Sequence, residues 1–326
     1  MSYINLQVAS IGRAVLRAKR YVVGVDGGAT KTVALIGAED GKVLGYGRSG
    51  SSNYHNIGSA AAGRAIKEAV TKARRRAKIG TSKVEVAAVA LAGIDSSRDR
   101  ASALRILRKI KIARRSLLIH DSLAALRAAT HGGPGIIVIS GTGSAAAGMN
   151  RGGDYARAGG WGYLVDDEGS GYDIGMKALR SAIRMMDGRA PRTKLAAILK
   201  RRFRVRRLED VFSKIYSGKL GVDAIAALSP LVSASATNDK VSREILNRAG
   251  VSLAELACAV ARRLRMTRDD FPIVLVGGTY RSGRHLLQPL RVRVRKECPR
   301  AKVKIMTIEP ALGALSIAAF ELSRRR

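Results

Sequence analysis

YVVGVDGGATKT, at residues 21–32, joins an apolar strand to a glycine-rich turn. The valines predict a strand that is buried on both faces. Asp26 ends this strand, and Gly27 and Gly28 then turn the chain where a side chain would block the approach of a ligand. Because the apolar run Val33–Ile36 follows at once, the turn is predicted to be a hairpin between two strands. In a Walker loop or a dinucleotide fingerprint the glycines lead into a helix instead, so this turn is neither of those motifs.

The turn has the chemistry of a phosphate cradle. Backbone N–H groups in such a turn can bind phosphate oxygens, and hydroxyl groups can add to them. Asp26 can hold a hydrated Mg²⁺, which needs only one or two carboxylates from the protein. The candidate nucleotide-binding residues of this turn are Gly27, Gly28, Ala29, Thr30, Lys31 and Thr32. Taken alone, the pattern also fits an ordinary glycine hairpin between core strands.

Length and composition favour a soluble protein of two domains. The chain has 326 residues, of which 46% are hydrophobic and only 4% aromatic, so the core must consist mostly of Ala, Val, Leu and Ile. No apolar run approaches the roughly 18 residues that a membrane span requires. Cys258 and Cys298 stand in unrelated sequence contexts and support neither a disulfide scaffold nor a zinc or iron–sulfur site. We therefore expect a cytoplasmic protein without a membrane partner.

The charge is strongly positive, with 59 Lys and Arg against 25 Asp and Glu and a net charge of +34. Such a surface attracts polyanions, including nucleic acids. However, the basic clusters contain few aromatic side chains for base stacking, and no nucleic-acid-binding motif is recognisable. Specific nucleic-acid binding is therefore not expected. Residues 1–20 form a basic extension that superficially suits a transit peptide or a membrane-surface helix, but we interpret it as a flexible extension or as the result of a start codon placed too early.

The first domain is predicted over residues 21–120. Three strands, a helix, a strand at Val84–Leu91, a helix and a strand at residues 116–119 alternate in the way that is typical of an α/β unit. A second unit opens in the same way, because the strand Gly135–Ile139 runs into Ser140-Gly141-Thr142-Gly143-Ser144 and then into another strand. This repeat predicts two similar halves, each with a phosphate-binding turn, that face one another across a cleft.

The second domain is predicted over residues 121–308, with a helical insertion at about residues 191–266. A strand at Ile273–Val276 precedes Gly277 and Gly278. The last helix, at about residues 309–323, could pack back on the first domain.

Four motifs carry a family resemblance: residues 26–32, residues 140–144, Gly160-Trp161-Gly162 and residues 167–170. In this order they resemble the actin-like ATPase superfamily and, more narrowly, the N-acetylglucosamine kinase branch of the BadF/BadG/BcrA/BcrD ATPases. Further segments resemble the archaeal broad-specificity hexokinases of that branch: residues 52–56, 92–95, 177–180 and 185–188. The resemblance covers residues 21–322.

The resemblance implies two ribonuclease-H-like domains, ATP with Mg²⁺, and transfer of the γ-phosphate to a sugar hydroxyl. The acceptor would be the 6-hydroxyl of a hexose or an N-acetylhexosamine, such as glucose, glucosamine or N-acetylglucosamine. The catalytic aspartate corresponds to Asp121, the second phosphate loop to residues 141–144, and the adenosine motif to Gly277 and Gly278. The sugar-binding positions correspond to Asn53, Asp95, Asp121, Thr142, Gly160 and Asp167. The branch is commonly dimeric, so a homodimer is expected. Ala92 stands where the mammalian enzymes have serine, which weakens any strict specificity for N-acetylglucosamine.

Each candidate also has a purely structural interpretation. Asp121 could cap the helix that begins at Ser122, and Asn53, Asp95 and Asp167 could cap loops. Trp161 could lie against the sugar or pack inside the core. His55 and His120 have no metal-ligand spacing and are interpreted as hydrogen-bonding residues.

Two other functions fit parts of the sequence. An ATPase that activates radical dehydratases shares the family grouping, but it needs cysteines for an iron–sulfur cluster at a subunit interface, and the two cysteines here lie far from the phosphate loops. A basic nucleic-acid-binding protein on the same fold agrees with the charge of +34. Such a protein has no need of the acidic set Asp26, Asp95, Asp121 and Asp167. Transfer of phosphate to a sugar is therefore the favoured function.

Overall fold

The computed structural model describes residues 20–80, 83–94 and 96–324, which form two units. The first unit runs to Gly133 and resumes at Ile308, and the second is Pro134–Thr307. The predicted basic extension, apart from Arg20, and the predicted sugar-binding residue Asp95 lie outside the described residues.

The first unit contains a five-stranded sheet in the order β3-β2-β1-β4-β5. Strands β1, β2 and β3 form an antiparallel meander, and β4 and β5 run parallel to β1. The bounds of the strands are Tyr21–Gly27 (β1), Thr32–Ala38 (β2), Val43–Ser49 (β3), Val84–Leu91 (β4) and Arg115–His120 (β5). β1, β2 and β4 are almost fully buried, as expected for apolar strands covered by helices on both faces.

Among the described residues, five helices accompany this sheet. They are Tyr54–Ile57 (α1), Ser59–Arg76 (α2), Ser97–Ile110 (α3), Asp121–Thr130 (α4) and, at the end of the chain, Pro310–Ser323 (α12). A Cβ atom at Gly24 would overlap the backbone of Leu315, and one at Gly313 would overlap the carbonyl oxygen of Ala124. Glycine thus lets α12 approach both β1 and α4 closely. Because α4 packs on α12, residues 121–133 belong to the first unit rather than to the predicted second domain.

The second unit repeats this sheet topology, in the order β8-β7-β6-β9-β10. Strands β6, β7 and β8 are antiparallel neighbours, and β9 and β10 run parallel to β6. The bounds of the strands are Gly135–Ser140 (β6), Ser144–Met149 (β7), Tyr155–Gly159 (β8), Pro272–Val276 (β9) and Lys302–Ile305 (β10). The repeat that the two hairpin motifs predicted is therefore present, and the α/β class with two units is confirmed.

Helices pack around the second sheet and include the helices expected between residues 191 and 266. They are Gly171–Met186 (α5), Leu195–Phe203 (α6), Glu209–Tyr216 (α7), Val222–Ala226 (α8), Ser229–Ser235 (α9), Lys240–Arg263 (α10) and Arg284–Glu297 (α11), with a 3-10 helix at Gly278–Ser282. α5 begins at a Ser170 cap, whose hydroxyl accepts the Asp173 N–H. Within the described residues, no helix is long and apolar enough to cross a membrane.

Candidate active site

The carboxyl ends of three parallel strands meet at one edge of the first sheet. Gly27 of β1 pairs in register with Leu91 of β4, which in turn pairs with His120 of β5. Asp26 therefore lies at the same edge as Asp121, which directly follows β5. In open α/β sheets, ligands bind beyond the carboxyl ends of the strands. The structure thus brings the predicted metal anchor and the predicted catalytic aspartate to one place.

The turn after β1 is the predicted hairpin. Gly27 and Thr32 pair across the strands, and the Gly28 N–H donates to the Lys31 carbonyl oxygen at 3.0 Å. The side chains of Ala29, Thr30 and Lys31 are exposed. A short turn with an accessible outer surface is the arrangement that a phosphate cradle requires.

Two residues of this turn have packing roles. A Cβ atom at Gly27 would overlap the Ser52 hydroxyl oxygen and lie 2.6 Å from a methyl carbon of Leu91, so glycine is needed there for space. The Thr32 side chain is fully buried, and its hydroxyl donates to the Gly50 carbonyl oxygen at 2.7 Å. This bond holds the end of β3 against β2, and a contribution of the Thr32 hydroxyl to a phosphate site stays a prediction.

Asp26 lies in an acidic and largely dry environment. Burial raises the pKa of its carboxyl to about 7, and the neighbouring carboxylates of Glu309 and Asp121 act in the same direction. The ammonium group of Lys31 acts in the opposite direction and only partly offsets them. A carboxylate that is costly to ionise alone becomes favourable to ionise when a cation binds beside it.

Asp121 has both a capping contact and access to solvent. Its Oδ1 accepts the Ser122 N–H at 2.6 Å and lies 2.7 Å from Nδ1 of His120. His120 is the N-cap residue of α4, so the expectation of a hydrogen-bonding role for this histidine is confirmed. The Asp121 side chain remains 39% exposed. A local capping bond therefore coexists with a carboxylate that a ligand can reach.

Glu309 is a site residue that the sequence did not reveal. It directly precedes α12, and its Oε2 lies 4.0 Å from Nζ of Lys31. Its side chain is only 11% exposed, and burial raises the pKa of its carboxyl. Among the described residues, Oε1 has no hydrogen-bond partner. No local motif marks this glutamate, because only the docking of α12 on β1 brings it to the site.

Asn53 lies beside the loop that follows β4. Its Oδ1 accepts the His55 N–H at 3.1 Å and caps α1, while Nε2 of His55 lies 3.0 Å from the Gly93 carbonyl oxygen. A Cβ atom at Gly93 would be 3.9 Å from Nδ2 of Asn53. The structure thus joins Asn53 to the loop that leads toward Asp95, at the edge that also holds Asp26 and Asp121.

The second hairpin is tied to the start of α5. The Gly141 N–H donates to the Gly143 carbonyl oxygen at 2.9 Å, which closes the turn between β6 and β7. The Gly171 N–H then donates to the Gly141 carbonyl oxygen at 2.7 Å, and the Tyr172 N–H donates to the Thr142 carbonyl oxygen at 3.3 Å. These bonds fix the turn against a helix N-terminus, where anions are stabilised.

A cavity of about 680 Å³ opens beside this hairpin. Gly141, Thr142 and Gly278 all line it, as expected of residues that are predicted to bind the same nucleotide. A Cβ atom at Gly141 or Gly278 would meet no atom within 4 Å, so the space beside both is open to a ligand. Gly277 differs, because its φ is +126° and a Cβ atom there would overlap the Ser140 carbonyl oxygen.

The helical segment supplies the other wall of this cavity. The Thr142 hydroxyl donates to Oδ1 of Asp223 at 3.3 Å. Ala226, Ala227, Ser229, Ser233 and Arg281 also line the cavity. The sequence did not single out these wall residues, since neither a glycine pattern nor a fixed spacing marks them. Small apolar and polar side chains together suit a flat ring with polar substituents.

Asp167 is positioned by the second hairpin. Its Oδ1 accepts the Ser144 N–H at 3.3 Å, and its backbone adopts a φ of +62°. Burial raises the pKa of its carboxyl. A Cβ atom at Gly143 would lie 2.7 Å from Oδ2 of Asp167, so glycine at 143 allows this close approach. The bond from the Ser144 N–H is the loop-capping contact that the structural interpretation expected. The positive φ of Asp167 is a strained backbone conformation of the kind that clusters at functional sites.

The predicted sugar-binding segment at Gly160 ends in an exposed apolar loop. The Gly160 carbonyl oxygen accepts from the Arg157 guanidinium at 2.7 Å, and that guanidinium also lies 6.0 Å from the ring centre of Trp161. Trp161 is 74% exposed, so the interpretation that it packs inside the core is wrong. Leu164 and Val165 follow it and are also exposed.

The donor groups fit Mg²⁺ and a nucleotide. In residues 20–80, 83–94 and 96–324, no three acidic, histidine or cysteine side chains are close enough to hold a metal ion. Mg²⁺ in phosphoryl-transfer sites is typically held by one or two carboxylates, water and phosphate oxygens. Asp26 can supply such a carboxylate. Burial and two neighbouring carboxylates oppose its ionisation, and a cation bound beside it would offset that cost. The open space beside Gly141 and Gly278 meets the requirement of a nucleotide.

Comparison with known proteins agrees with the motifs. The model of the BadF/BadG/BcrA/BcrD ATPase family matches residues 23–318. An N-acetylmuramic acid/N-acetylglucosamine kinase from Clostridium acetobutylicum is 33% identical over 305 residues, which is 93% of this chain and 99% of that protein. An N-acetyl-D-glucosamine kinase from Dictyostelium discoideum is 31% identical over 312 residues, which is 92% of this chain and 98% of that protein. A solved structure from Chromobacterium violaceum, described as an N-acetylglucosamine kinase, has a TM-score of 0.70 and 30% identity and covers 91% of this chain and 98% of its own. The resemblance inferred from the sequence is confirmed.

Proposed function

The chain belongs to the BadF/BadG/BcrA/BcrD ATPase family, and from this membership and the site we propose that it is an ATP-dependent sugar kinase. It transfers the γ-phosphate of ATP to a hydroxyl, the 6-hydroxyl of a hexose or N-acetylhexosamine. The observation that carries this proposal is the meeting of Asp26 and Asp121 at one edge of the first sheet. Two carboxylates beside a phosphate-binding turn supply a metal anchor and a base, the parts that phosphoryl transfer needs.

Asp121 acts as the general base. Its carboxylate accepts the proton of the sugar hydroxyl as that oxygen attacks the γ-phosphorus, and the bond from phosphorus to the bridging oxygen of ADP breaks. The bond from Ser122 N–H to Oδ1 holds the carboxylate in place. The partial exposure of the side chain leaves room for an acceptor hydroxyl.

We assign contacts with ATP to the hairpin of each unit and to the cavity of the second unit. The backbone of residues 28–31 and of residues 141–143 holds phosphate oxygens, with Lys31 as a cationic partner. Gly278 and the small side chains of the cavity accept the adenosine part. Asp26 holds Mg²⁺ through water, and the ion, when bound, neutralises charge on the phosphates.

The sugar is held by the polar residues near these loops. We assign hydrogen bonds to its hydroxyl groups to Asn53, Asp95, Thr142 and Asp167, with Gly160 allowing close approach. The named relatives include kinases of N-acetylglucosamine and N-acetylmuramic acid, which favours an N-acetylhexosamine among the acceptors. Ala92 before Gly93 argues against a requirement for that acceptor alone.

The dehydratase-activator alternative is disfavoured by the cysteines. Cys258 and Cys298 are the only two in the chain, and both are buried inside the second unit. Thiols in this position cannot hold a cluster at a subunit interface.

The test is release of ADP from MgATP with glucose, mannose, glucosamine, N-acetylglucosamine, N-acetylmannosamine and no sugar. Turnover with several sugars would establish a broad hexokinase, and turnover with N-acetylglucosamine alone would establish a dedicated amino-sugar kinase. Sugar-independent hydrolysis, or no hydrolysis, would overturn the proposal. Salt-sensitive retention on DNA that is unchanged in Asp121→Ala would then favour the nucleic-acid alternative.

A further inference from the structure

A second cavity of the second unit has a basic lining. It encloses about 490 Å³ between α5, the segment Arg189–Pro191 that follows it, and α10. Basic side chains reach it from all three elements: Lys177, Arg180 and Arg184 from α5, Arg189 from the following segment, and Arg248 from α10. The proposed kinase mechanism uses none of these residues. They include the segment at residues 177–180 that the sequence comparison singled out.

The positive charges of this basic cavity are only partly neutralised. Lys177 pairs with Asp173 at 2.8 Å, and Arg189 bonds to Asp187 at 3.0 Å. Within the part of the chain that the structure describes, Arg180, Arg184 and Arg248 form no ion pair. Among the described residues that line the cavity, Glu244 of α10 is the only acid, and it is exposed. A net positive charge therefore remains on the walls of a concave site.

We propose that the basic cavity binds a small anion that carries at least two phosphate charges. The planar guanidinium group binds two oxygens of a phosphate at once, and the guanidinium groups of Arg180, Arg184 and Arg248 have no ion-pair partner in the described part of the chain. The volume lies in the range of small-molecule sites and accommodates a linear polyphosphate or a sugar phosphate. Concavity favours such a compact ligand over the backbone of an extended nucleic acid, which a flat or grooved basic surface would bind.

The spacing of two arginines in the cavity also predicts how their removal affects the stability of the protein without ligand. Arg180 and Arg184 are spaced i,i+4 on α5, so their like charges repel one another. Removing them should not destabilise the fold, since both side chains are exposed. Arg184 also lies in the last turn of α5, where a positive charge is favourable and offsets this repulsion, so R180Q/R184Q is expected to melt close to the temperature of the unaltered protein. This behaviour separates loss of binding from loss of folding.

The first test uses tripolyphosphate, with titration calorimetry of R180Q/R184Q and of R291Q/R295Q. The second pair removes the same charge from exposed positions of α11 outside the cavity. We expect affinity to fall at least tenfold in R180Q/R184Q and less than twofold in R291Q/R295Q. Equal losses, or no binding to the unaltered protein, would overturn the proposal.

The second test is specific to the site and does not depend on other phosphate-binding loops. Arginines are modified with phenylglyoxal in the presence and absence of tripolyphosphate, and the modified peptides are quantified by mass spectrometry. Arg180 and Arg184 should react at least fivefold more slowly with tripolyphosphate present, while Arg291 and Arg295 should be unaffected. Equal protection by citrate would reject a preference for phosphate. Protection only by a single-stranded oligonucleotide, spread over all four arginines, would replace the proposal with non-specific polyanion binding.

Discussion

Nζ of Lys31 lies 4.0 Å from Oε2 of Glu309, and this pair connects the first hairpin to the start of the last helix. The two residues are 278 positions apart in sequence, yet the charges of both act on the Asp26 carboxyl. The contact allows the C-terminal helix to influence the charge at the phosphate-binding turn. At this distance Glu309 attracts the Lys31 ammonium group near Asp26, the proposed metal anchor, without a short hydrogen bond.

Substitution of Lys31 should weaken ATP binding more than folding. Loss of a hydrogen bond to a charged group typically costs about 1.5–3 kcal/mol, so Lys31→Gln should raise the KM for ATP on the order of tenfold. Lys72→Gln is a matched control, because Lys72 is an exposed lysine that also pairs with a glutamate. An unchanged KM in Lys31→Gln, or an equal increase in the control, would remove Lys31 from the phosphate site.

Substitution of the base should abolish turnover and keep the fold. Asp121→Asn retains an oxygen that can accept the Ser122 N–H, so the cap of α4 and the melting temperature should be preserved. The kcat should fall by roughly 10²–10⁴, with little change in sugar affinity. Sugar affinity is measured by calorimetry and turnover by ADP release. Near-normal turnover in a folded variant would show that Asp121 is not the base.

Asp26 should make the protein less stable as the pH rises. Its pKa is about 7 in the folded state and near 3.8 when unfolded, so the unfolded state releases its proton first. The free energy of unfolding therefore decreases from about pH 4 to about pH 7 on account of this group, by roughly 4 kcal/mol at most.

Asp26→Asn removes this penalty. In EDTA and without nucleotide, we expect the variant to melt several degrees above the unaltered protein at pH 8 and at nearly the same temperature at pH 4. A variant that melts lower at pH 8 would contradict the electrostatic environment described for Asp26.

The two glycines after β9 should respond in opposite ways to substitution. Gly278→Leu places a side chain in open space of the nucleotide cavity, so ATP affinity should fall at least tenfold while the fold is retained. Gly277→Ala should cost several kcal/mol of stability, because φ is +126° and the added atom overlaps the Ser140 carbonyl. Melting temperature and nucleotide titration distinguish the two effects. A destabilised Gly278→Leu with normal ATP affinity would place the nucleotide elsewhere.

The cysteines should be unreactive until the second unit unfolds. Both thiols are buried, and a hydrogen bond from Cys258 to Cys298 together with burial raises the pKa of Cys258. Labelling with a thiol-reactive disulfide at pH 8 should be at least about a hundredfold slower in native buffer than in guanidinium chloride. Rapid labelling of the native protein would contradict the packing of α10 against the end of α11.

Local sequence patterns predicted the parts of the site that depend on short stretches of chain. The two glycine hairpins were predicted because an apolar strand, a glycine turn and a second strand lie within about a dozen residues. The alternation of strands and helices predicted the α/β class, and the family resemblance supplied Asp121. The register of the parallel strands, which the structure shows, places Asp26 and Asp121 at one edge.

Residues that depend on tertiary docking could not be found in this way. Glu309 reaches the site only because glycine at position 24 lets α12 lie on β1. Asp223 lines the nucleotide cavity from a helix that carries no motif. Cys258 and Cys298 stand in unrelated sequence contexts but interact where α10 meets the end of α11. The bond from the Thr32 hydroxyl to the Gly50 carbonyl oxygen could not be found either, because it depends on the pairing of β2 with β3.

Transfer of the γ-phosphate of ATP to a sugar can be followed directly by ³¹P NMR of the reaction products. With MgATP and N-acetylglucosamine or glucose, we predict a sugar 6-phosphate signal that grows as ATP is consumed, in equal amount to ADP, and that is absent with Asp121→Asn. Release of inorganic phosphate at the same rate with and without sugar, and no sugar phosphate, would contradict the account.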